Sequence, residues 1–178
     1  MGADSLTCYT QRHMAKASTS PRLIVRSSAI HAAGCYTLDP IRRGARVVEY
    51  DGPRISKEAA DHRYADRIVT YLFGVGERGE VIDGFGTAMF INHSCAPNCE
   101  TLEKEERIYI IAIRDIAAGE ELLYEYHLYD SDDEVGTCYC GAPQCRGTMF
   151  SEKELARRAR LAAKYIKVAK RDDALQTS

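Results

Sequence analysis

The sequence predicts a mostly β fold with short helices and a longer helix at the C-terminal end. Short runs of β-branched and aromatic residues recur along the chain, separated by turn residues, which is typical of strands. From Ser151 onward, apolar residues instead recur at helical spacing. The chain has 178 residues, of which 45% are hydrophobic, so one domain with a substantial core is expected.

Seven segments are predicted to be strands. Turn sequences at residues 39–40 and 51–53 end two of them, and residues 76–79 are expected to form a hairpin turn. Residues 100–107 are predicted to be a charged connection. The predicted strands are residues 23–25, 35–37, 46–50, 68–75, 81–83, 108–113 and 121–124.

Two helices are predicted. Ser56 is suited to cap a helix that runs to about Tyr64, because its hydroxyl can accept a backbone N–H. Ser151 and Glu154 have the spacing of a capping box at the start of the second helix, which is expected to end near Lys170. This helix is expected to pack on the domain or on a second subunit, since amphipathic helices usually bury one face. Its apolar residues at helical spacing are Leu155, Ala159, Leu161, Ala162, Tyr165, Ile166 and Val168.

Composition excludes some classes of protein. No apolar run approaches the roughly 20 residues that a membrane-spanning helix needs. Residues 1–20 have no apolar centre and are expected to be a flexible tail, not a signal peptide, so an intracellular, non-secreted protein is expected. In that reducing compartment, seven cysteines indicate metal binding or chemistry more than disulfides. The net charge of −2 indicates no partner.

The most informative segment is residues 90–99, in which an apolar pair leads directly into a polar cluster. Asn92, His93 and Ser94 are followed by Cys95, and Pro97 closes the run. Such residues favour neither helix nor strand, because Asn and Ser bond their own backbone and proline lacks a donor. A buried polar run must find partners in the protein or on a ligand. Alone, this segment fits a turn with an incidental cysteine equally well.

A second informative segment carries three thiols. Cys138, Cys140 and Cys145 have C-x-C-x4-C spacing with glycine and proline between them, which lets several sulfurs face one point. A structural zinc site needs four ligands, so one ligand is missing locally. Cys95 is the candidate fourth ligand, and Cys99 is its main rival. The alternative is three unrelated buried thiols, which the tight spacing disfavours.

These segments resemble the SET-domain protein lysine methyltransferases with a post-SET zinc motif. The resemblance rests on residues 92–98, on the Glu-Leu-Leu-Tyr-Glu-Tyr run at 121–126 and on the three-cysteine segment, in the family's order. Residues 30–36 are similar to the family's glycine loop, and residues 71–73 and 81–84 also match. The resemblance implies a β-clip-like fold of several small sheets with a pseudoknot. It divides the chain into a tail (1–20), a SET domain (21–130), a post-SET zinc-binding segment (131–150), and a basic amphipathic helix and tail (151–178).

The activity that the resemblance implies is methyl transfer from S-adenosylmethionine to a lysine ε-amine, with one structural zinc ion. Tyr126 and Tyr71 would line the lysine channel, and Tyr124 at the family's Phe/Tyr position implies mono- or dimethylation. Tyr50 and Tyr109 are expected to be strand packing. The implied cofactor-binding residues are Ala32, Ala33, Gly34, Cys35, Asn92, His93, Tyr126, Met149 and Phe150, and the implied metal ligands are Cys95, Cys138, Cys140 and Cys145.

Three residues depart from the family pattern. Ala32 replaces the usual first loop glycine, and Thr87 and Met89 replace Asn and Arg before the Phe-Ile-Asn-His run. An alanine could stiffen the cofactor loop, because glycine reaches φ values that alanine avoids. The departures leave a catalytically weakened SET-fold binding module as one alternative. A zinc-stapled nucleic-acid-binding protein that uses the terminal helix is another.

Charge patterns bear on partners. Acidic clusters within residues 100–106 and 130–134 would steer a lysine-rich, histone-like protein to the channel, or they are simply solvated surface. The terminal helix is basic, so contact with nucleic acid and a dimer are both open, whereas no membrane is expected. The expected location is the nucleus and chromatin in a eukaryote, or the cytoplasm in a prokaryote.

Overall fold

The computed structural model describes residues 20–67, 69–76, 79–128 and 136–176, with side chains to residue 166. In these residues the chain forms ten short strands, two α-helices and one 3₁₀ helix, Thr87–Phe90. The helices are α1 (Lys57–Tyr64) and α2 (Glu152–Gln176). The strands are β1 (Leu23–Arg26), β2 (Gly34–Thr37), β3 (Arg46–Tyr50), β4 (Arg54–Ser56), β5 (Leu72–Val75), β6 (Glu80–Asp83), β7 (Asn92–His93), β8 (Cys99–Lys104), β9 (Arg107–Ala112) and β10 (Leu123–Tyr124).

The strands form four small sheets, so the predicted fold class is confirmed. In three of these sheets all strand pairs are antiparallel: β1 pairs with β2, β9 lies between β3 and β8, and β6 lies between β4 and β5. The exception is the two-stranded sheet of β7 and β10, which is parallel. The core gathers around β9, where Ile108 and Ile110 are at most 1% exposed. No helix in the described part of the chain is long and apolar enough to cross a membrane.

Most predicted elements form where local chemistry places them. Ser56 caps α1, because its hydroxyl accepts the N–H of Ala59 at 3.2 Å. The strand predicted at 68–75 is shorter, beginning at Leu72, and residue 68 lies outside the described residues. The segment 121–124 is extended but divided, because Glu121 bridges to Tyr36 of β2 before β10 pairs with β7.

The prediction that residues 100–107 form a connection is wrong. Strand β8 occupies most of this segment and pairs with β9 through a tight turn. Glu105 and Glu106 make that turn with φ values of 53° and 58°. The segment looked like a loop because β8 is an edge strand with mostly exposed side chains, and edge strands commonly carry charge.

The terminal helix forms, but it does not pack as predicted. The Ser151 hydroxyl accepts the N–H of Glu154 at 3.1 Å, whereas the Ser151 N–H donates to the carbonyl of Leu128, so the return half of the capping box is absent. Beyond the first turns, the apolar side chains of Leu161, Tyr165 and Ile166 are exposed. The prediction that this face packs on the domain is therefore wrong. That it packs on a second subunit stays a prediction.

Candidate functional site

Two segments, residues 91–98 and 121–126, meet in what we call the crossing. The parallel register places Asn92 beside Leu123 and His93 beside Tyr124. The N–H of Ser94 also donates to the carbonyl of Tyr124, at 3.2 Å. The polar cluster that the sequence singled out therefore finds its partners on a segment about 30 residues later in the chain.

Asn98 locks this crossing. Its side-chain amide donates to the carbonyl of Glu121 at 2.7 Å, and its side-chain oxygen accepts the N–H of Leu123 at 2.8 Å. Its backbone N–H donates to the carbonyl of Leu123, and its own carbonyl accepts the N–H of Ile113. The residue is 2% exposed, so these bonds replace all of its contact with water.

Asn92 joins the crossing to the loop before β2. Its side-chain nitrogen donates to the carbonyl of Ala33 and to Oε1 of Glu121, both at 2.8 Å. The other carboxylate oxygen of Glu121 accepts the hydroxyl of Tyr36 at 3.0 Å. Sequence reasoning named Glu121 only as part of a strand. No local pattern could have singled it out, because its two side-chain partners lie 29 and 85 residues away in the chain.

Gly34 is required by close approach. A Cβ added there would lie 2.2 Å from Oε1 of Glu121, so only glycine lets this carboxylate reach Asn92. Ala32, the residue that departs from the family glycine, is exposed. Among the described non-glycine residues, positive φ values occur only at Glu105, Glu106 and His127, so Ala32 needs no glycine-like backbone.

Cys35 can offer a ligand its backbone only. The thiol is fully buried, and burial raises its pKa to about 12, with a smaller contribution from the neighbouring Cys99. Both thiols are therefore neutral core groups.

Aromatic rings form one wall of the site. The rings of Tyr124 and Tyr126 lie 4.9 Å apart, and Tyr71 packs against Phe90 at 5.9 Å. The hydroxyl of Tyr126 donates to the carbonyl of Ile91 at 2.9 Å.

Burial raises the pKa of Tyr124 and of Tyr126, so both phenols stay protonated at neutral pH. Tyr50, expected to be strand packing only, belongs to this wall, because its hydroxyl donates to the carbonyl of Tyr71 at 2.8 Å. Tyr109 packs between the guanidinium groups of Arg46 and Arg107, away from the wall.

The His93 side chain lies between this wall and the cysteines. It is 3% exposed, and its Nδ1 accepts the backbone N–H of Tyr126 at 3.2 Å. Its Nε2 lies 3.4 Å from Sγ of Cys95. Burial lowers the pKa of His93 to about 4, so the ring is neutral at physiological pH.

The four predicted sulfurs come together. Sγ of Cys138 lies 3.8 Å from Sγ of Cys95 and 3.6 Å from that of Cys145, and with Cys140 all four lie within 4.8 Å of one another. Four thiolates on a tetrahedral zinc ion, with Zn–S bonds of about 2.3 Å, would sit about 3.8 Å apart, so the cluster fits this ion. The rival, Cys99, is 1% exposed in the core.

Backbone N–H groups surround the sulfurs. Cys95 donates to Sγ of Cys140 at 3.4 Å, and Arg146 donates to Sγ of Cys95 at 3.5 Å. Burial raises the pKa of Cys140, but backbone N–H groups of Cys95 and Ala142, together with the thiols of Cys138 and Cys145, lower it to about 6. Within the cluster, Cys140 is thus the thiol most easily converted to the thiolate, the form that binds metal, whereas burial raises the pKa of Cys95 and Cys138.

The segment 136–150, which we call the thiol module, also contacts residues outside the cluster. Leu128 donates its N–H to the carbonyl of Met149 at 2.9 Å. The Phe150 ring is 4% exposed, because Gly136 lies against one side and the Arg158 guanidinium lies 3.9 Å from its centre. The half-buried Met149 is therefore the more accessible of the two predicted adenine contacts.

The acidic clusters are only partly free. Glu103 accepts the N–H of Gly76 at 2.9 Å, and Glu106 pairs with Arg54 at 3.3 Å. The cluster at 130–134 lies outside the described residues. Glu125, beside the tyrosine wall, pairs with Arg146 of the thiol module.

Comparisons with known proteins agree with this geometry. The SET domain family matches residues 32–127. A Candida albicans protein named histone-lysine N-methyltransferase, H3 lysine-4 specific, is 41% identical over 134 residues, which is 67% of this chain and 13% of the relative. The Saccharomyces cerevisiae protein of that name is 43% identical over 134 residues, and it matches 67% of this chain and 12% of its own. Histone-lysine N-methyltransferase ATX2 of Arabidopsis thaliana is 37% identical over 155 residues, 80% of this chain and 14% of its own.

Solved structures add the same similarity in three dimensions. An active polycomb repressive complex 2 in the stimulated state matches with a TM-score of 0.58 and 29% identity, over 62% of this chain and 16% of that one. The ctPRC2 complex in an autoinhibited conformation bound to S-adenosylmethionine matches with a TM-score of 0.56 and 30% identity, over 61% and 15%. The chain thus spans less than a fifth of the length of these relatives.

Proposed function

The chain belongs to the SET domain family, and on this premise we propose that it transfers a methyl group from S-adenosylmethionine to the ε-amine of a lysine in a protein substrate. One feature supports this above all. The crossing places the polar Asn92 contacts with the loop before β2 on one side, and the rings of Tyr124 and Tyr126 follow on the other. A site for the methyl donor can therefore lie next to a site for the lysine amine.

The difficulty of the reaction lies in the nucleophile. A lysine with a pKa of about 10.4 is almost fully protonated at neutral pH and cannot attack. Walls made of neutral phenols and phenylalanine disfavour the charged ammonium, because they replace water with weakly polar surface. The lysine proton leaves to solvent, and the neutral amine enters the aromatic site.

When bound, S-adenosylmethionine would supply a methyl group on a positive sulfonium that a neutral amine could take up, leaving S-adenosylhomocysteine and a methylated ammonium. Backbone groups of Ala33, Gly34 and Cys35, with Asn92 and His93, would hold its polar parts. Met149 would cover its adenine, with Phe150 supporting the thiol module from behind. Ala32 contributes its backbone at the exposed start of this loop.

Tyr126 orients the amine and does not deprotonate it. Its hydroxyl proton is already donated to the Ile91 carbonyl, so the oxygen lone pairs point in fixed directions. They can accept a hydrogen bond from the amine and weak C–H···O contacts from the methyl group. Alignment of this kind supplies much of the rate gain when two reactants are held in line. Tyr71 would close the channel beside Phe90.

Tyr124 favours a low methylation state. Its buried hydroxyl occupies space beside Tyr126 that a second or third methyl group would need. We expect wild type to stop at mono- or dimethyllysine and Tyr124→Phe to add a further methyl group. Mass spectrometry of the product peptides checks this, with Tyr109→Phe as the matched control. An unchanged methylation state in Tyr124→Phe would contradict it.

Histone H3 is the first substrate to test, because several relatives carry H3 lysine-4 in their names. Such a substrate would place the protein at chromatin. Lysine-rich tails would also be attracted to acidic residues on the β8–β9 turn. The dimer and the nucleic-acid contact predicted for α2 stay predictions. Its apolar and basic side chains are exposed together, and sedimentation and a salt-dependent DNA shift would test the two roles.

The deciding experiment incubates the zinc-loaded protein with labelled S-adenosylmethionine and a panel of peptides that includes the H3 tail. Label on lysine is expected with wild type, and Tyr126→Phe should lower kcat at least tenfold, about 1.4 kcal/mol. Tyr109→Phe, a tyrosine packed between two arginines, should leave kcat unchanged. Cofactor binding without label on any peptide would favour a binding module instead.

A further inference from the structure

The His93 imidazole lies between the thiol cluster and the tyrosine wall and touches both. Its Nδ1 accepts the backbone N–H of Tyr126 at 3.2 Å, and its Nε2 lies 3.4 Å from Sγ of Cys95. The ring also packs edge-on against the Tyr126 ring, with centres 5.5 Å apart. At 3% exposure it has no room to turn toward solvent.

These contacts determine the tautomer. A nitrogen that accepts an amide N–H carries no proton, so in the neutral ring the proton is on Nε2. That proton faces the Cys95 sulfur at a distance suited to an N–H···S bond. The imidazole therefore donates to a sulfur of the cluster and accepts from the residue that lines the lysine channel.

We propose that His93 is a positioning residue that holds the Cys95 thiolate for zinc and, through the same ring, fixes the backbone of Tyr126. Of these two roles, only the fixing of Tyr126 rests on the proposed function. The Cys95 sulfur has two N–H donors, His93 in the crossing and the backbone of Arg146 in the thiol module. Groups that orient a metal ligand in this way typically matter 10–100-fold to metal affinity.

The consequence is that metal loading and the methyl-transfer site share one side chain. When zinc holds Cys95 in place, the imidazole is fixed by the sulfur on one side and can fix Tyr126 on the other. Loss of the ion then affects kcat through His93, in addition to loosening the module that would cover the cofactor. The link runs through a side chain, whereas the cofactor contacts implied for His93 need only its backbone.

Two substitutions separate the two contacts. In His93→Asn, a side-chain oxygen can lie near the position of Nδ1, but nothing reaches Cys95. In His93→Gln, an amide nitrogen can reach the sulfur, but the acceptor for Tyr126 is displaced. The exposed His62 of α1 provides the matched control His62→Asn.

The experiment measures zinc release from the zinc-loaded 178-residue chain to excess EDTA, followed with a zinc-sensitive dye. We expect release 10–100-fold faster in His93→Asn, near the wild-type rate in His93→Gln and unchanged in His62→Asn. In methyl-transfer assays, His93→Gln should lower kcat with KM for the peptide unchanged, because alignment and not binding is lost. Equal release rates in wild type and His93→Asn would overturn the proposal.

Wild-type protein provides a test that needs no variant. In long-range ¹H–¹⁵N spectra, His93 should show the neutral tautomer with its proton on Nε2, and chelation of zinc should shift both ring nitrogens. A proton on Nδ1, or resonances insensitive to zinc, would refute the link even if a variant failed to fold. Because zinc release and tautomer need no substrate, a protein without methyltransferase activity would refute the proposed function and leave these results standing.

Discussion

The crossing and the C-terminal segment after it keep their shapes by different means. In the crossing, buried side chains such as Asn98 satisfy neighbouring backbone groups directly. In the thiol module, the sulfurs of three cysteines lie within 4.8 Å of one another and of the Cys95 sulfur in the crossing. Beyond the module, the large apolar side chains of α2 that the structure describes, Leu155, Leu161, Tyr165 and Ile166, are exposed. Bonds between protein groups thus hold the first region together, whereas the second offers a four-cysteine group that could hold a zinc ion.

The largest effect is expected from Asn98→Ala, which breaks the crossing itself. The substitution leaves the carbonyl of Glu121 and the N–H of Leu123 without their side-chain partners in a buried setting. Each unsatisfied group costs about 1–3 kcal/mol, so the free energy of unfolding should fall by about 3 kcal/mol. Urea unfolding measures this, with the exposed Glu100→Ala as control. A loss under 1 kcal/mol would mean that the crossing does not depend on Asn98.

Removal of zinc should affect the other region. On chelation, the amides of Cys138 and Met149, which bond within the thiol module, should exchange at least tenfold faster with solvent. The amides of Ser94 and Leu123 in the crossing should keep their protection, since their partners are protein groups. Hydrogen exchange followed by mass spectrometry distinguishes the two, and added zinc should reverse the change. If amide exchange became equally faster in the crossing and in the thiol module, the two regions would not differ in their dependence on zinc.

A smaller effect is expected where the crossing meets the loop before β2. In Gly34→Ala the new Cβ would collide with the Glu121 carboxylate and push it from Asn92. The dissociation constant for S-adenosylmethionine should rise about tenfold, which is about 1.4 kcal/mol. The matched change Ala32→Gly, at an exposed position, should alter it less than about twofold. Calorimetry measures both, and a larger effect at Ala32 would restore the importance of the missing family glycine.

The elements predictable from sequence were those with a strong local signal. Strand β3 and helix α1 form where the residue pattern and the Ser56 cap place them. Strand β8 was missed because an edge strand with charged side chains has no apolar alternation. Its pairing with β9 becomes evident only in the folded structure.

The sequence predicted the four thiols that come together, but it did not predict how the residues of the site are connected. Spacing alone could not choose between Cys95 and Cys99, and only the fold shows that Cys99 is in the core. Glu121 and the side chain of His93 act through partners about 30 residues away, which no local pattern encodes. Such contacts emerge only when two distant segments are paired.

The smallest effect is expected in α2, where the chain is least supported by its own contacts. Leu161 is 40% exposed, so Leu161→Ala should change the free energy of unfolding by no more than about 0.5 kcal/mol. The matched substitution Ile110→Ala, at a residue that is 0% exposed in β9, should cost about 2–5 kcal/mol. Urea unfolding at low protein concentration compares the two. A loss above 1 kcal/mol for Leu161→Ala would show that this helix face is buried in solution, and a concentration-dependent loss would identify a second copy of the chain as what buries it.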